Sequence, residues 1–181
     1  GKIITGKLDT YTFNPPTGWK FMGWSTIKAA SRHATVYADG ATVTLKEGMT
    51  LKLYAILYKV EDTGIVTLPG ADGQPDGADN VTVTPPAGTD ITLGNGYVEA
   101  PKGSEITQPA GKIEVMEGTV IVYPDGSIYV PDGSQVKLPN GTTVNGEANI
   151  DKDGNVGKDK DKPIQKPDGT IVLPGEDKKT G

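Results

Sequence analysis

The chain has one histidine, His33, set beside its one arginine, Arg32, and no cysteine. Most catalytic constellations therefore lack members. A Ser-His-Asp relay would have to run through His33, which stands in a polar stretch and reads as a surface side chain. Zinc sites need several His or Cys ligands. No glycine-rich phosphate loop leads into a helix, and Gly94-Asn95-Gly96 reads as a turn, not a nucleotide fingerprint. Paired carboxylates of the kind that cleave glycosides are available by type, since Asp and Glu total 23. Nine of them precede Gly, four of these also following Pro, where turn formation accounts for them. Strands this short also offer little concave surface for a substrate. The sequence thus reads as non-catalytic, with no cofactor, catalytic or metal residues assigned.

Calcium is the one metal with a recognisable pattern. Asn149-x-Asp151-x-Asp153-Gly154 has the spacing of the first half of a helix-flanked calcium loop, which wraps a hard cation in oxygens. The twelfth position falls on Lys160, where a carboxylate is required, and no helix flanks the run. A β-turn entering a charged linker is the better reading. Near the end, Leu173-Pro174-Gly175-Glu176-Asp177 resembles a sortase signal only superficially, because neither the Thr-Gly pair nor an apolar tail follows.

Composition restricts the partners. The net charge is −5, and no Lys/Arg cluster stands clear of acids, so nucleic acid is not expected. No apolar run approaches the roughly 20 residues of a membrane-spanning helix, and no signal peptide is present. The chain runs from a Gly to Thr180-Gly181 and reads as a piece of something longer, so any targeting signals would lie outside it. The absence of cysteine suits the cytosol and disulfide-free bacterial surface proteins alike.

The elements that must carry these residues are β-strands. Both Trp and both Phe (Phe13, Trp19, Phe21, Trp24) fall near the N-terminus, and past Tyr58 the composition shifts toward Thr, Val, Pro, Gly and Asp. That shift predicts a domain boundary near Glu61–Gly64. Strict alternation puts Trp19, Phe21 and Gly23 on one strand face and Lys20, Met22 and Trp24 on the other. Trp24 and Phe21 are expected to anchor a small core, so that Trp24→Ala would cost about 3–5 kcal/mol. Ser25–Ala34 is the one segment with helical character, with Ser25 or Thr26 as a cap. Thr50–Tyr58 is apolar on both faces and predicts a central strand.

Residues 65–148 carry a repeating texture. Pro124-Asp125-Gly126, Pro131-Asp132-Gly133 and Pro139-Asn140-Gly141 follow one another closely, each bounded by short β-branched runs. Looser versions stand at Pro69-Gly70 and Pro101-Lys102-Gly103, and a further copy at Pro167-Asp168-Gly169. Pro presets φ at the first central position, Asp or Asn tolerates the second, and Gly takes the positive φ that follows. This predicts type I turns with a glycine bulge. Such strands must stack like a β-solenoid or zigzag as a narrow meander, and the stack is favoured because neighbours above and below supply the burial. The dense β-branched residues argue against disorder. Residues 151–163 read as a charged linker or solvated edge.

From Tyr11 to Tyr58 the chain resembles the Listeria–Bacteroides repeat, also called the internalin B-repeat. Gly18-Trp19-Lys20-Phe21-Met22-Gly23-Trp24-Ser25-Thr26 carries the likeness. Tyr37-x-x-Gly40-x-x-Val43-Thr44-Leu45 and Thr50-Leu51-x-Leu53-Tyr54-Ala55 extend it. Two features depart from the pattern: no first strand with an Asn-Gly-Gly turn precedes Tyr11, and Ile56-Leu57-Tyr58 stands where the family ends on Trp. The resemblance implies a small β-grasp-like domain from a bacterial surface protein, acting as a spacer or adhesive module.

The expected organisation is mostly β, with a B-repeat-like domain at 1–62, a short-strand region at 63–148 and a charged linker with a last turn unit at 149–181. The expected role is a non-catalytic structural or spacer module at the bacterial cell surface or cell wall. Its partner would be a surface protein or glycan, without membrane insertion of this segment. The alternative is an adhesin-type binding module, signalled by an exposed aromatic patch around Tyr97, Tyr123 and Tyr129. A calcium-binding module and a glycan hydrolase fragment are the lesser alternatives.

Overall fold

The computed structural model describes residues 2–75, 77 and 79–157, together with the backbone of two short strands at 164–165 and 171–172. The chain is mostly β, and no helix occurs among the described residues. In the first third the strands are β1 (Ile3–Lys7), β2 (Trp19–Ser25), β3 (Val36–Tyr37), β4 (Thr42–Lys46) and β5 (Tyr54–Val60). Then come β6 (Val66–Leu68), β7 (Val81–Thr84), β8 (Thr92–Leu93), β9 (Val98–Pro101), β10 (Glu105–Gln108) and β11 (Gly111–Glu117). The rest are β12 (Thr119–Val122), β13 (Ile128–Val130), β14 (Gln135–Lys137), β15 (Thr143–Asn145), β16 (Ala148–Ile150) and β17 (Val156–Gly157). A separate pair, β18 (Ile164–Gln165) and β19 (Ile171–Val172), forms its own hairpin.

From β6 onward the chain makes a hairpin in one sheet, crosses, makes a hairpin in the other and crosses back. Hairpins β6–β7, β10–β11 and β14–β15 belong to a nine-stranded sheet ordered β15-β14-β11-β10-β7-β6-β5-β2-β3. Hairpins β8–β9, β12–β13 and β16–β17 form a six-stranded sheet ordered β17-β16-β13-β12-β9-β8. The short strands thus stack in layers, with a hairpin as the repeating unit and every pairing antiparallel. Alternation does the rest. Val83, Ile106, Ile113 and Val136 from one sheet meet Val98, Val120, Val122, Ile128, Val130 and Ile150 from the other in one dry core.

The Pro-x-Gly turns take two forms. At Tyr123-Pro124-Asp125-Gly126, Gly126 N donates to Tyr123 O at 2.8 Å and Gly126 has φ +95°. Leu138-Pro139-Asn140-Gly141 repeats this, with Gly141 N to Leu138 O at 2.9 Å. Both are the expected type I hairpin turns with a glycine bulge. Pro131-Asp132-Gly133 differs. There the bond runs from Ser134 N to Pro131 O at 3.0 Å, which moves Gly133, φ +86°, to the third turn position. That is a type II turn, and it forms a corner carrying the chain from one sheet to the other. Pro101-Lys102-Gly103-Ser104 makes the same corner. The local residues do not separate the two forms, since Ser follows Gly126 at a hairpin as it follows Gly133 at a corner. Tyr123 and Leu138 close a hairpin as the first turn residue, whereas at the corners Pro itself opens the turn and Ser closes it.

Two expectations about residues 1–62 change. A bulge between Phe21 and Gly23 in the β2–β5 pairing breaks the alternation. Phe21 and Trp24 therefore share a face, their rings 5.2 Å apart, and Tyr11 stacks on Phe21 at 4.2 Å. Met22 turns instead toward Ile56, Ala30 and Ala34. Secondly, the segment after β2 is a loop. Ser25 Oγ accepts from Ile27 N at 3.0 Å and donates to Ile27 O at 2.6 Å, while Thr26 pairs with Thr35 across the loop. These local bonds compete with helical ones. Glu61–Gly64 forms a tight turn from β5 into β6, and the two strands pair. β5 is central, flanked by β2 and β6, and Tyr58 and Met22 pack onto the core of the stack.

Trp24 is only partly buried. Trp24→Ala should therefore cost about 2 kcal/mol, below the 3–5 typical of a fully enclosed aromatic. Chemical denaturation of wild type and variant measures it. A loss of the whole N-terminal fold would contradict the partly buried placement.

The β16–β17 hairpin takes residues 148–157 into the six-stranded sheet, so the start of the expected 149–181 segment belongs to the stack. The run 158–163, Lys160, Pro167-Asp168-Gly169 and Leu173–Asp177 lie outside the described residues. No helix among the described residues is long and apolar enough to cross a membrane.

Candidate functional site

The residues with the most chemical character gather at one end of the stack, where hairpin turns from both sheets meet the β2–β3 loop. Asp125 N donates to Ala30 O at 3.0 Å and pins that loop to the β12–β13 turn. Between them and the β16–β17 turn lies a cleft of about 410 Å³ lined by Arg32, His33, Asp125, Ser127, Asn149 and Asp151 among others. Here the fold brings together the lone His, the lone Arg and a pair of Asp and Ser side chains.

Their geometry is that of turn chemistry. Asp125 Oδ1 accepts from Ser127 N at 2.9 Å and from Ser127 Oγ at 2.5 Å. A catalytic relay needs a histidine between carboxylate and hydroxyl, whereas here the two bond directly. The same Asx bond recurs in turns away from this cleft. Asn140 Oδ1 accepts from Thr142 N at 2.9 Å, and Asp72 Oδ1 from Gln74 N at 2.8 Å. The Asp125–Ser127 contact is one instance of a repeated device that closes turns.

Burial pushes the Asp125 carboxyl up from its ordinary range, opposed by its bonds to Ser127 and the charge of Lys152. A carboxyl held above its unfolded value costs nothing while neutral in both states. Stability falls as the pH rises from the unfolded to the folded pKa, and stays reduced above it. Asp125→Asn keeps the acceptor, as Asn140 does in its own turn, and removes the charge. The variant should be more stable than wild type at pH 7, with the gain vanishing in acid below the ordinary aspartate range. Thermal melts across pH check this, and a gain that persists in acid would contradict it.

The calcium-like run does not assemble a cation cage. Asp151 Oδ1 accepts from Asp153 N and Asn155 N, both at 2.9 Å, and Asp153 Oδ2 meets Lys152 Nζ at 3.1 Å. Asp151 thus serves the β16–β17 turn, and Asp153 pairs with Lys152 beside it. Asn149 sits on strand β16, its Oδ1 buried without a hydrogen bond. Among the described residues no three or more acidic or histidine side chains converge as a metal site. Gly94-Asn95-Gly96 forms the β8–β9 turn, where Asn95 Nδ2 donates to Val36 O at 3.1 Å and ties the turn to β3.

Of the tyrosines expected as an exposed patch, Tyr123 and Tyr129 are covered and Tyr97 is partly buried. Ile121 and Tyr129 lie opposite each other, on the face turned away from the core, and with Tyr123 and Tyr97 make a second small cluster. Tyr123 and Tyr129 are 3% and 1% exposed. Burial raises the pKa of both phenols well above the ordinary value of about 10, aided for Tyr129 by its bond to Glu147. In an alkaline absorbance titration both should hold their protons until the protein unfolds. Full ionisation of every tyrosine in the folded protein would contradict their burial.

One residue the sequence did not single out organises this end. Gln108 is buried at the β10–β11 turn, and its Nε2 donates to Gly126 O at 2.8 Å and Asp151 O at 3.0 Å. A single amide thereby joins a turn of one sheet to two turns of the other. A glutamine beside a Pro-containing turn gives no sequence signal of that role, because its partners are distant backbone carbonyls. No family model, curated protein or solved structure matches this chain.

Proposed function

We propose that this chain is a non-catalytic structural module that acts as a spacer in a bacterial cell-surface protein. The observation that carries the spacer reading is the burial of Tyr123 and Tyr129, which removes most of the aromatic patch expected around Tyr97, Tyr123 and Tyr129. The polar groups of the cleft support it too, since Asp125, Ser127 and Asp151 act on their own backbone turns. A continuous two-sheet stack with its core along its length suits a part that holds other domains apart. The surface location rests on the resemblance of the Tyr11–Tyr58 segment to the internalin B-repeat.

Two experiments test the two halves of this reading. Protease shaving of intact bacteria that express the parent protein should release peptides from this segment. Their appearance only after lysis would refute the surface location. Purified protein should show no saturable binding to arrays of glycans and extracellular-matrix proteins. Saturable binding to one of them would replace the spacer with an adhesin.

A further inference from the structure

The stack is open at its C-terminal end. β15 is the last strand of the nine-stranded sheet and β17 the last of the six-stranded sheet, so each has one unpaired edge. The core is open there as well. Val156 lies opposite Ile150, whose side chain is in the core, yet Val156 is 46% exposed. Val144, on the opposite sheet, is the most exposed member of the core cluster at 9%. Open edges beside uncovered aliphatic side chains are sites that folded proteins cover.

The chain beyond β17 continues the pattern. Each hairpin of the nine-stranded sheet carries an opposed pair of inward aliphatics: Val66 with Val83, Ile106 with Ile113, Val136 with Val144. The β18–β19 hairpin has the corresponding register, Ile164 with Val172. Its sequence Pro167-Asp168-Gly169-Thr170 parallels Pro139-Asn140-Gly141-Thr142. Hairpins alternate between sheets, so the one after β16–β17 falls to the nine-stranded sheet. Six residues, 158–163, separate β17 from β18 in the sequence, close to the seven of 85–91 that carry the chain between sheets from β7 to β8.

We propose that the β18–β19 hairpin is the next layer of the stack, with β18 pairing antiparallel to β15. Ile164 then stands opposite Val144, as Ile106 stands opposite Val83 and Val136 opposite Val115. The occupant of the open edge is this chain's own hairpin, which extends the nine-stranded sheet past Val144. The free edge passes to β19, so the stack can grow by one hairpin at a time.

The absence of native cysteine allows a clean test in the full chain. In the proposed register Thr143 lies opposite Gln165, and Ile171 lies one strand farther away. Adjacent strands are about 4.8 Å apart, and a disulfide does not bridge Cα atoms beyond about 7 Å. Under mild oxidation Thr143→Cys with Gln165→Cys should form an intramolecular disulfide at a rate independent of protein concentration. Thr143→Cys with Ile171→Cys should stay reduced. Equal behaviour of the two pairs would mean an undocked hairpin and overturn the proposal. A disulfide-linked dimer would place a second copy on the edge, and would overturn it too.

Discussion

Gly126→Val should destabilise the protein by about 2–5 kcal/mol. Two costs add at this position. Gly126 has φ +95°, a conformation that a β-branched residue resists. It is also enclosed, so that an added Cβ would come within 2.6 Å of Val81 Cγ2, a fully buried side chain of the facing sheet. Gly133→Val isolates the first cost. Gly133 has φ +86° but nothing within 4 Å of an added Cβ, so only the backbone strain of about 1–2 kcal/mol applies. Urea unfolding of both variants compares them. Equal shifts would mean that the hairpin turn and the corner are equally open, contrary to the structure.

Ile106→Ala should cost about 4 kcal/mol, within the range for a large-to-small change in a closed core. Ile106 is fully buried in β10 and stands between Val83 of β7 and Ile113 of β11. The cavity has no flexible neighbour to fill it, because short β-strands paired on both sides cannot shift alone. The loss is a large share of the 5–15 kcal/mol that holds a typical domain together. The same variant tests the continuity of the long sheet. Both tryptophans lie on β2, so fluorescence reports the N-terminal strands while far-UV circular dichroism reports all of them. With β5 paired to β6 and Met22 and Tyr58 in the shared core, both signals should move to the same lower midpoint. A fluorescence transition that stays where it was would make residues 1–62 an independent unit.

The stability of the β12–β13 and β14–β15 turns was legible in advance because it is local chemistry. Pro124-Asp125-Gly126 and Pro139-Asn140-Gly141 contain every group their turns use: the preset φ, the Asx acceptor and the glycine. The two apolar faces of β5 likewise announced a central strand. The bulge at Met22 was not legible. Strand alternation is a default, and one extra residue opposite Leu57 and Ile56 reverses which side chains meet. The candidate site was partly legible. His33 and Arg32 were visible as singular residues and Asp125 as a turn residue, but their meeting in one cleft depends on the loop after β2 crossing to the β12–β13 turn.

By itself the sequence determined that this chain is built from short β-strands, that Asp125 stands in a turn, and that its aromatics cluster near the N-terminus. Those properties follow from φ preferences, side-chain acceptors and period-two patterning, all of which act within a few residues. Only the tertiary structure decided that Pro131-Asp132-Gly133 turns a corner while its two neighbours close hairpins. It alone showed that Tyr123 and Tyr129 are buried, and that Gln108 joins turns of both sheets. Each of these depends on which strand lies across the core or beside the edge, and that is set by the packing of the whole stack.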